Sequence, residues 1–174
     1  RSSLVGSEMC IRDSFSTDGC FRWWLTRRWQ HGGRVLIFIG LNPSRANAKR
    51  DDPTLRRLIG FAKDWGYDAL VVVNLFARMS PSPSVLRRCQ DPVGLDADAA
   101  LLHWCQSWAE QEAWALWCGW GNGGRQCARA QQVMDLLKPV VQQRARSFPH
   151  APGPQALELT RAGHPRHPLY APRG

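Results

Sequence analysis

Two apolar runs separated by one amphipathic helix constrain this chain more than any other feature. The runs are RVLIFIGL (34–41) and ALVVVNLFA (69–77). The first is continuously apolar past Arg34 and the second is broken only by Asn74; both are rich in β-branched residues, as strands covered on both sides must be. Between them, TLRRLIGFAKDW (54–65) puts Leu55, Leu58, Ile59, Ala62 and Trp65 at helical spacing. Asp52 can cap that helix, and Pro53 suits its first position, where a missing N–H costs nothing. Gly66 then fills the left-handed closing position.

The same alternation extends along the chain. CFRWWLTRRW (20–29) reads as a short strand or a strand plus turn, and HGG (31–33) as a turn. Residues 43–51 read as polar loop, and the Pro- and Ser-rich 78–94 as loop with at most one short helix. A helix is predicted over 96–112, a strand over AWALWCGWG (113–121), and a second long helix over 125–138, stopped by Pro139. After a loop at 146–155, ALELT (156–160) is the last predicted strand. Strands alternating with helices predict one α/β domain over residues 15–174. Its expected form is a three-layer α/β/α sandwich around a mainly parallel sheet of about four strands. Ligands of such sheets bind beyond the carboxyl ends of the strands.

The first 14 residues, RSSLVGSEMCIRDS, have neither a signal-peptide layout nor a helix or strand period. They resemble translated sequencing-adaptor sequence, so residues 1–14 are expected to be a non-native or disordered tail without a packed partner. No apolar run approaches the roughly 20 residues that cross a bilayer, and no membrane partner is expected. The six cysteines form no CxxC pair, which fits reduced thiols in a cytoplasmic protein. Lys and Arg outnumber Asp and Glu 23 to 14, a formal charge of +9. That excess either marks an anionic partner, nucleic acid or nucleotide, or reflects a GC-rich genome. Oligomeric state is not set by the sequence.

Polar clusters fall at the predicted strand ends. Asn42-Pro43-Ser44 follows the first buried strand. It can hold water, a polar ligand edge or phosphate, or it can be an Asx turn that redirects the chain. Asp51 and Asp52 can activate water or bind a metal, while capping already explains Asp52. Asn74 interrupts VVVNLF, where an unpaired amide is costly. Its adjacent donor and acceptor suit a base edge, or stitch neighbouring loops. Gly121 and Asn122 open a GNGG turn that can approach phosphate without matching a nucleotide-binding fingerprint. GHPRHPLY (163–170) brings His164, Arg166, His167 and Tyr170 together. Imidazole suits proton handling near neutral pH, Arg166 a phosphate and Tyr170 stacking; zinc would need a matching cysteine pair. No metal or cofactor is expected.

The motifs GLNPSRANAKRDDPTLRRLIGFAKDWGYDALVVVNLFA, DPVG, WGNGG and GHPRHPLY resemble the bacterial domain-of-unknown-function 1643 family (DUF1643). Its motif residues fall on Asn42, Pro43, Ser44, Asp51, Asp52, Pro53, Asn74, Gly121, Arg166, His167 and Tyr170. More remotely, the motif order is similar to the uracil-DNA glycosylase superfamily. That resemblance implies that Asn42 positions an attacking water, Asn74 reads a base, and a histidine of HPRHPL, His164 or His167, steadies the departing base. HPRHPL is one residue longer than the superfamily's loop, Arg166 replaces a small residue, and no aromatic directly follows Pro43. The reaction implied is N-glycosidic bond cleavage. Two other classes stay open: a non-catalytic nucleic-acid or nucleotide-binding module, and a metal-dependent phosphodiesterase using Asp51, Asp52 and the histidines.

Overall fold

A computed structural model describes residues 9–44, 52–80 and 82–168 of the protein. The chain folds as α/β, with five strands in one mixed sheet and four helices. The strands are β1 (Cys10–Phe15), β2 (Arg22–Arg28), β3 (Val35–Gly40), β4 (Ala69–Asn74) and β5 (Ala115–Cys118). The helices are α1 (Pro53–Asp64), α2 (Pro83–Arg88), α3 (Ala97–Glu110) and α4 (Arg129–Ser147), and a 3₁₀ segment spans Asn122–Ala128.

Sheet order is β1-β2-β4-β3-β5. β3 runs parallel to β4 and β5, whereas β2 is antiparallel to both β1 and β4. The sheet is therefore mixed, not mainly parallel. A short link, residues 29–34, explains the reversal. It passes beneath the start of β4, where the Trp29 and Gln30 N–H groups donate to the Asp68 carbonyl and the Arg34 N–H donates to the Asp68 carboxylate. The chain crosses one strand width without a helix, so β2 and β3 flank β4 in opposite directions.

The pleat of β3 explains its unbroken apolar run. Val35, Ile37 and Ile39 join one core with Leu101, Cys105 and Trp108 of α3 and Val133, Leu137 and Val140 of α4. Leu36 and Phe38 face the other way and join Leu55, Leu58, Phe61 and Ala62 of α1. At about 25 cal/mol per Å² of apolar surface, burial on both faces is the main stabilising term. Asp52 caps α1 by accepting from the Leu55 N–H at 2.8 Å, and Gly66 takes φ +82° just after its end.

Three expectations need correction. Residues 10–14, read as a tail without a partner, lie in β1 and pair with β2. Asp13 of β1 accepts from Arg27 Nη1 at 2.7 Å, and the Arg27 side chain is fully buried. A carboxylate there neutralises a charge that would otherwise be costly to bury. Pro139 lies inside α4 and does not stop it. The helix loses one bond at the proline, but Val133, Leu137 and Val140 anchor both sides of it in the core. Arg144, further along, donates to the carbonyls of Trp108, Gln111, Glu112, Trp114 and Pro152. Finally, ALELT is not a strand: only the isolated bridges Trp117–Gln155 and Leu159–Pro165 form there. Leu159 is 63% exposed, so a strand there would gain little burial.

All six cysteines are free thiols. No helix among the described residues is long and apolar enough to cross a membrane.

Candidate functional site

Because β3, β4 and β5 are parallel, their carboxyl ends share one edge of the sheet. A cavity of about 840 Å³ opens there. Its floor includes Leu25, Phe38, Leu58, Val72 and Trp120, and its polar lining includes Asn42, Ser44, Asp52, Asn74, Asn122 and His167. Gly121 and Arg166 also line it. Thus the ends of β3, β4 and β5, the start of α1 and the 160–168 loop converge on one space. Pro43 and His164 are not on its wall. Pro43 accepts from the Ser80 N–H and from Asn42 Nδ2, and His164 bonds reciprocally with Thr160. Asp51 and Tyr170 lie outside the described residues.

Asn74 ends β4, in register with Gly40 of β3. A Cβ on Gly40 would stand 2.8 Å from Asn74 Oδ1, so glycine makes room for the amide. Asn74 is 7% exposed. Its side chain makes no hydrogen bond among the described residues, although it lines the cavity. A buried amide left with both donor and acceptor is what a ligand with matching groups would satisfy.

Asn42 is different. Its Nδ2 donates to the Pro43 carbonyl at 3.1 Å and the Ser80 carbonyl at 3.2 Å. Two carbonyls facing one end of the amide fix its orientation. Oδ1 is left without a partner among the described residues, so the cavity receives an oriented acceptor.

Asp52 spends one carboxylate oxygen on the α1 cap. Its negative charge favours the protonated forms of both Arg22 and His167. Burial acts more strongly on His167 and pulls its pKa below the ordinary histidine value, so at neutral pH the imidazole is uncharged. The loop that carries it is pinned from two sides. Arg57 Nε donates to the Pro168 carbonyl at 2.8 Å, and the Gly121 N–H donates to the Pro165 carbonyl at 2.7 Å. Gly121 has φ +70°, a conformation that favours glycine.

A family model described as "Protein of unknown function (DUF1643)" matches residues 22–169. The chain belongs to the DUF1643 family. No curated protein and no solved structure matches it.

The sequence reading of this DUF1643 chain missed much of the cavity's charge. Arg22, Arg87, Arg125 and Arg161 line it alongside Arg166. Arg22 is 4% exposed, and burial lowers its pKa. Arg166 pairs with Glu158. Arg125 directly follows GNGG and Arg161 shortly precedes GHPRHPLY, so adjacency to those motifs was the available signal. Arg22 and Arg87 carried none. Among the described residues no three His, Cys, Asp or Glu side chains gather as a metal site. The arrangement offers a buried amide with donor and acceptor both unengaged among the described residues, an oriented acceptor, a neutral imidazole, a carboxylate and a cationic mouth.

Proposed function

We propose that the cavity binds a nucleobase and that the protein cleaves its N-glycosidic bond, with nucleic acid or nucleotide as the partner. One observation carries this reading: the Asn74 amide, buried on the cavity wall, with neither donor nor acceptor engaged among the described residues. A base edge pairs a donor beside an acceptor in the same way, and the apolar floor suits a planar ring.

The remaining groups take roles by their chemistry. Asn42 Oδ1 accepts from a water and orients it toward the anomeric carbon. The second Asp52 oxygen takes the proton as the water adds. The C–N bond breaks, and its electron pair leaves with the base. Neutral His167 donates a hydrogen bond to the base oxygen that gathers that charge. Ser44 contacts the sugar or phosphate. Helices on both faces of the sheet support a sandwich of the base-removing kind, and free thiols fit a cytoplasmic location.

The test is release of free base from labelled oligonucleotides and nucleotides, followed by chromatography. Release by the wild type and its loss in Asn42→Ala is the expected result. Release unaffected by Asn42→Ala removes the proposed water. A second reading is binding without turnover. The two loop carbonyls held by Asn42 favour it, because they give that residue a structural role. Tight binding with no base release selects this reading.

A further inference from the structure

We infer that the mouth of the cavity is a phosphate subsite formed by Arg87, Arg125 and Arg161, and that the ligand is a nucleoside monophosphate. The ligand class rests on the base-reading role proposed for Asn74; the anion subsite does not.

The three arginines come from separate parts of the chain: the end of α2, the 3₁₀ segment after β5, and the loop after Thr160. They nevertheless line one cavity. None has a hydrogen-bond or ion-pair partner among the described residues. Elsewhere the chain satisfies its buried arginines. Arg27 has Asp13, Arg129 has Asp98 and the Leu75 carbonyl, and Arg144 has its ring of carbonyls. At the mouth the three exposed guanidiniums face the same cavity with no anion among the described residues paired to them, so a phosphate can displace their water and take charge-assisted hydrogen bonds. Asp52 does not supply it, since it caps α1 and its charge already acts on Arg22 and His167. Arg166 is neutralised by Glu158.

The depth of the groups sets the ligand's polarity. Arg87, Arg125 and Arg161 are exposed, whereas Asn74 is buried beside Phe38 and Val72. A phosphate cannot descend to that floor without losing its hydration. An uncharged base can. The ligand therefore carries its ring inward and its phosphate outward. About 840 Å³ is ample for one nucleotide. Several basic side chains outside the mouth are engaged within the protein. Arg28 donates to the carbonyls of Gln30 and Gly32, and Arg34, Lys63 and Arg78 lie over aromatic rings.

The experiment is calorimetric titration of the full chain at low salt. The probes are the common nucleoside monophosphates, the matching nucleosides, inorganic phosphate and a short single-stranded oligonucleotide. The expected result is a monophosphate that binds at least about tenfold tighter than its nucleoside. In Arg125→Gln/Arg161→Gln, the monophosphate should weaken about tenfold with the nucleoside unchanged. Asn74→Ala should weaken both. Both substituted arginines are exposed, and thermal melts check that the variant folds. Equal affinity for monophosphate and nucleoside, or no binding of any probe, overturns the inference. An oligonucleotide that binds tighter than every monophosphate overturns the mononucleotide class. Arginine-dependent binding of phosphate, with no affinity for any nucleoside or nucleotide, upholds the anion subsite and defeats the base-reading role of Asn74.

Discussion

Gly40→Ala should damage ligand binding more than it damages the fold. The added Cβ would stand 2.8 Å from Asn74 Oδ1 and 2.9 Å from Phe38 Cε2. Real Cβ atoms do not come so close, so one neighbour must move. Phe38 has little room to do so. Its ring meets Trp117 edge-on at 4.8 Å, and Gly119 packs so tightly that its own Cβ would fall 2.5 Å from Phe38 Cε1. The Asn74 amide, which no hydrogen bond among the described residues holds, yields instead. Overpacking of this kind costs about 1–3 kcal/mol, and alanine recovers about 0.4–1 kcal/mol through the unfolded chain. The net loss is about 1–2 kcal/mol. For a chain of this size that lowers Tm by roughly 2–8 °C. Ligand affinity should fall about tenfold or more, because a displaced amide forfeits its paired hydrogen bonds. Urea melts of wild type, Gly40→Ala, Asn74→Ala and the double variant measure the coupling. Removing the Asn74 amide should relieve at least about 0.5 kcal/mol of the Gly40→Ala cost. Strictly additive costs, with ligand affinity intact in Gly40→Ala, would refute the claim that Gly40 makes room for a ligand-reading amide.

Four further outcomes follow from the same geometry. Asp13→Ala leaves Arg27 buried without its carboxylate and should cost about 3–5 kcal/mol, measured by urea unfolding; a loss under about 1 kcal/mol would mean that β1 contributes little. Arg144→Met strips donors from five carbonyls and should destabilise by about 3 kcal/mol or more without changing ligand affinity, since the α3–β5 loop lies away from the cavity. Burial lowers the folded pKa of His167, so the unfolded chain binds that proton more readily. The stability contributed by the neutral imidazole is complete above about pH 6.5 and is lost as pH falls toward the folded value; His167→Gln should flatten that acid limb in melts across pH 5–8. Cys105 and Cys118 are pushed up to about 12 by burial, so iodoacetamide with mass mapping should label Cys10 and Cys127 in the native protein and spare both.

The central β3-α1-β4 unit was legible because burial on both faces forces an unbroken apolar run. The Asp52 cap and Gly66 closure were legible because each has a local chemical cause. Placing Asn42, Asn74 and Gly121 at one sheet edge required only that β3, β4 and β5 be parallel, which the alternation of strands and helices implied; His167 was placed there through an ALELT strand that does not form, and a loop pinned by Arg57 and Gly121 brings it to the cavity instead. The direction of β2 was hidden. It depends on a six-residue link held by Asp68, a partner far along the chain. β1 was hidden because an edge strand gains its hydrogen bonds from a neighbour and shows little apolar period of its own. Pro139 misled because a local breaking tendency yields to packing on both sides. The cationic mouth escaped notice because Arg87, Arg125 and Arg161 are scattered in sequence and gathered only by the fold.

The most direct test of the central claim follows the Asn74 side-chain amide itself. Its NH₂ signals can be assigned by their loss in Asn74→Ala and followed by nitrogen-edited NMR while bases, nucleosides and nucleotides are added. Saturable shifts of those signals with one ligand, and at least about tenfold weaker binding of that ligand to Asn74→Ala, are the predicted result. A ligand that binds the cavity while the Asn74 signals stay still, with equal affinity for Asn74→Ala, would contradict it.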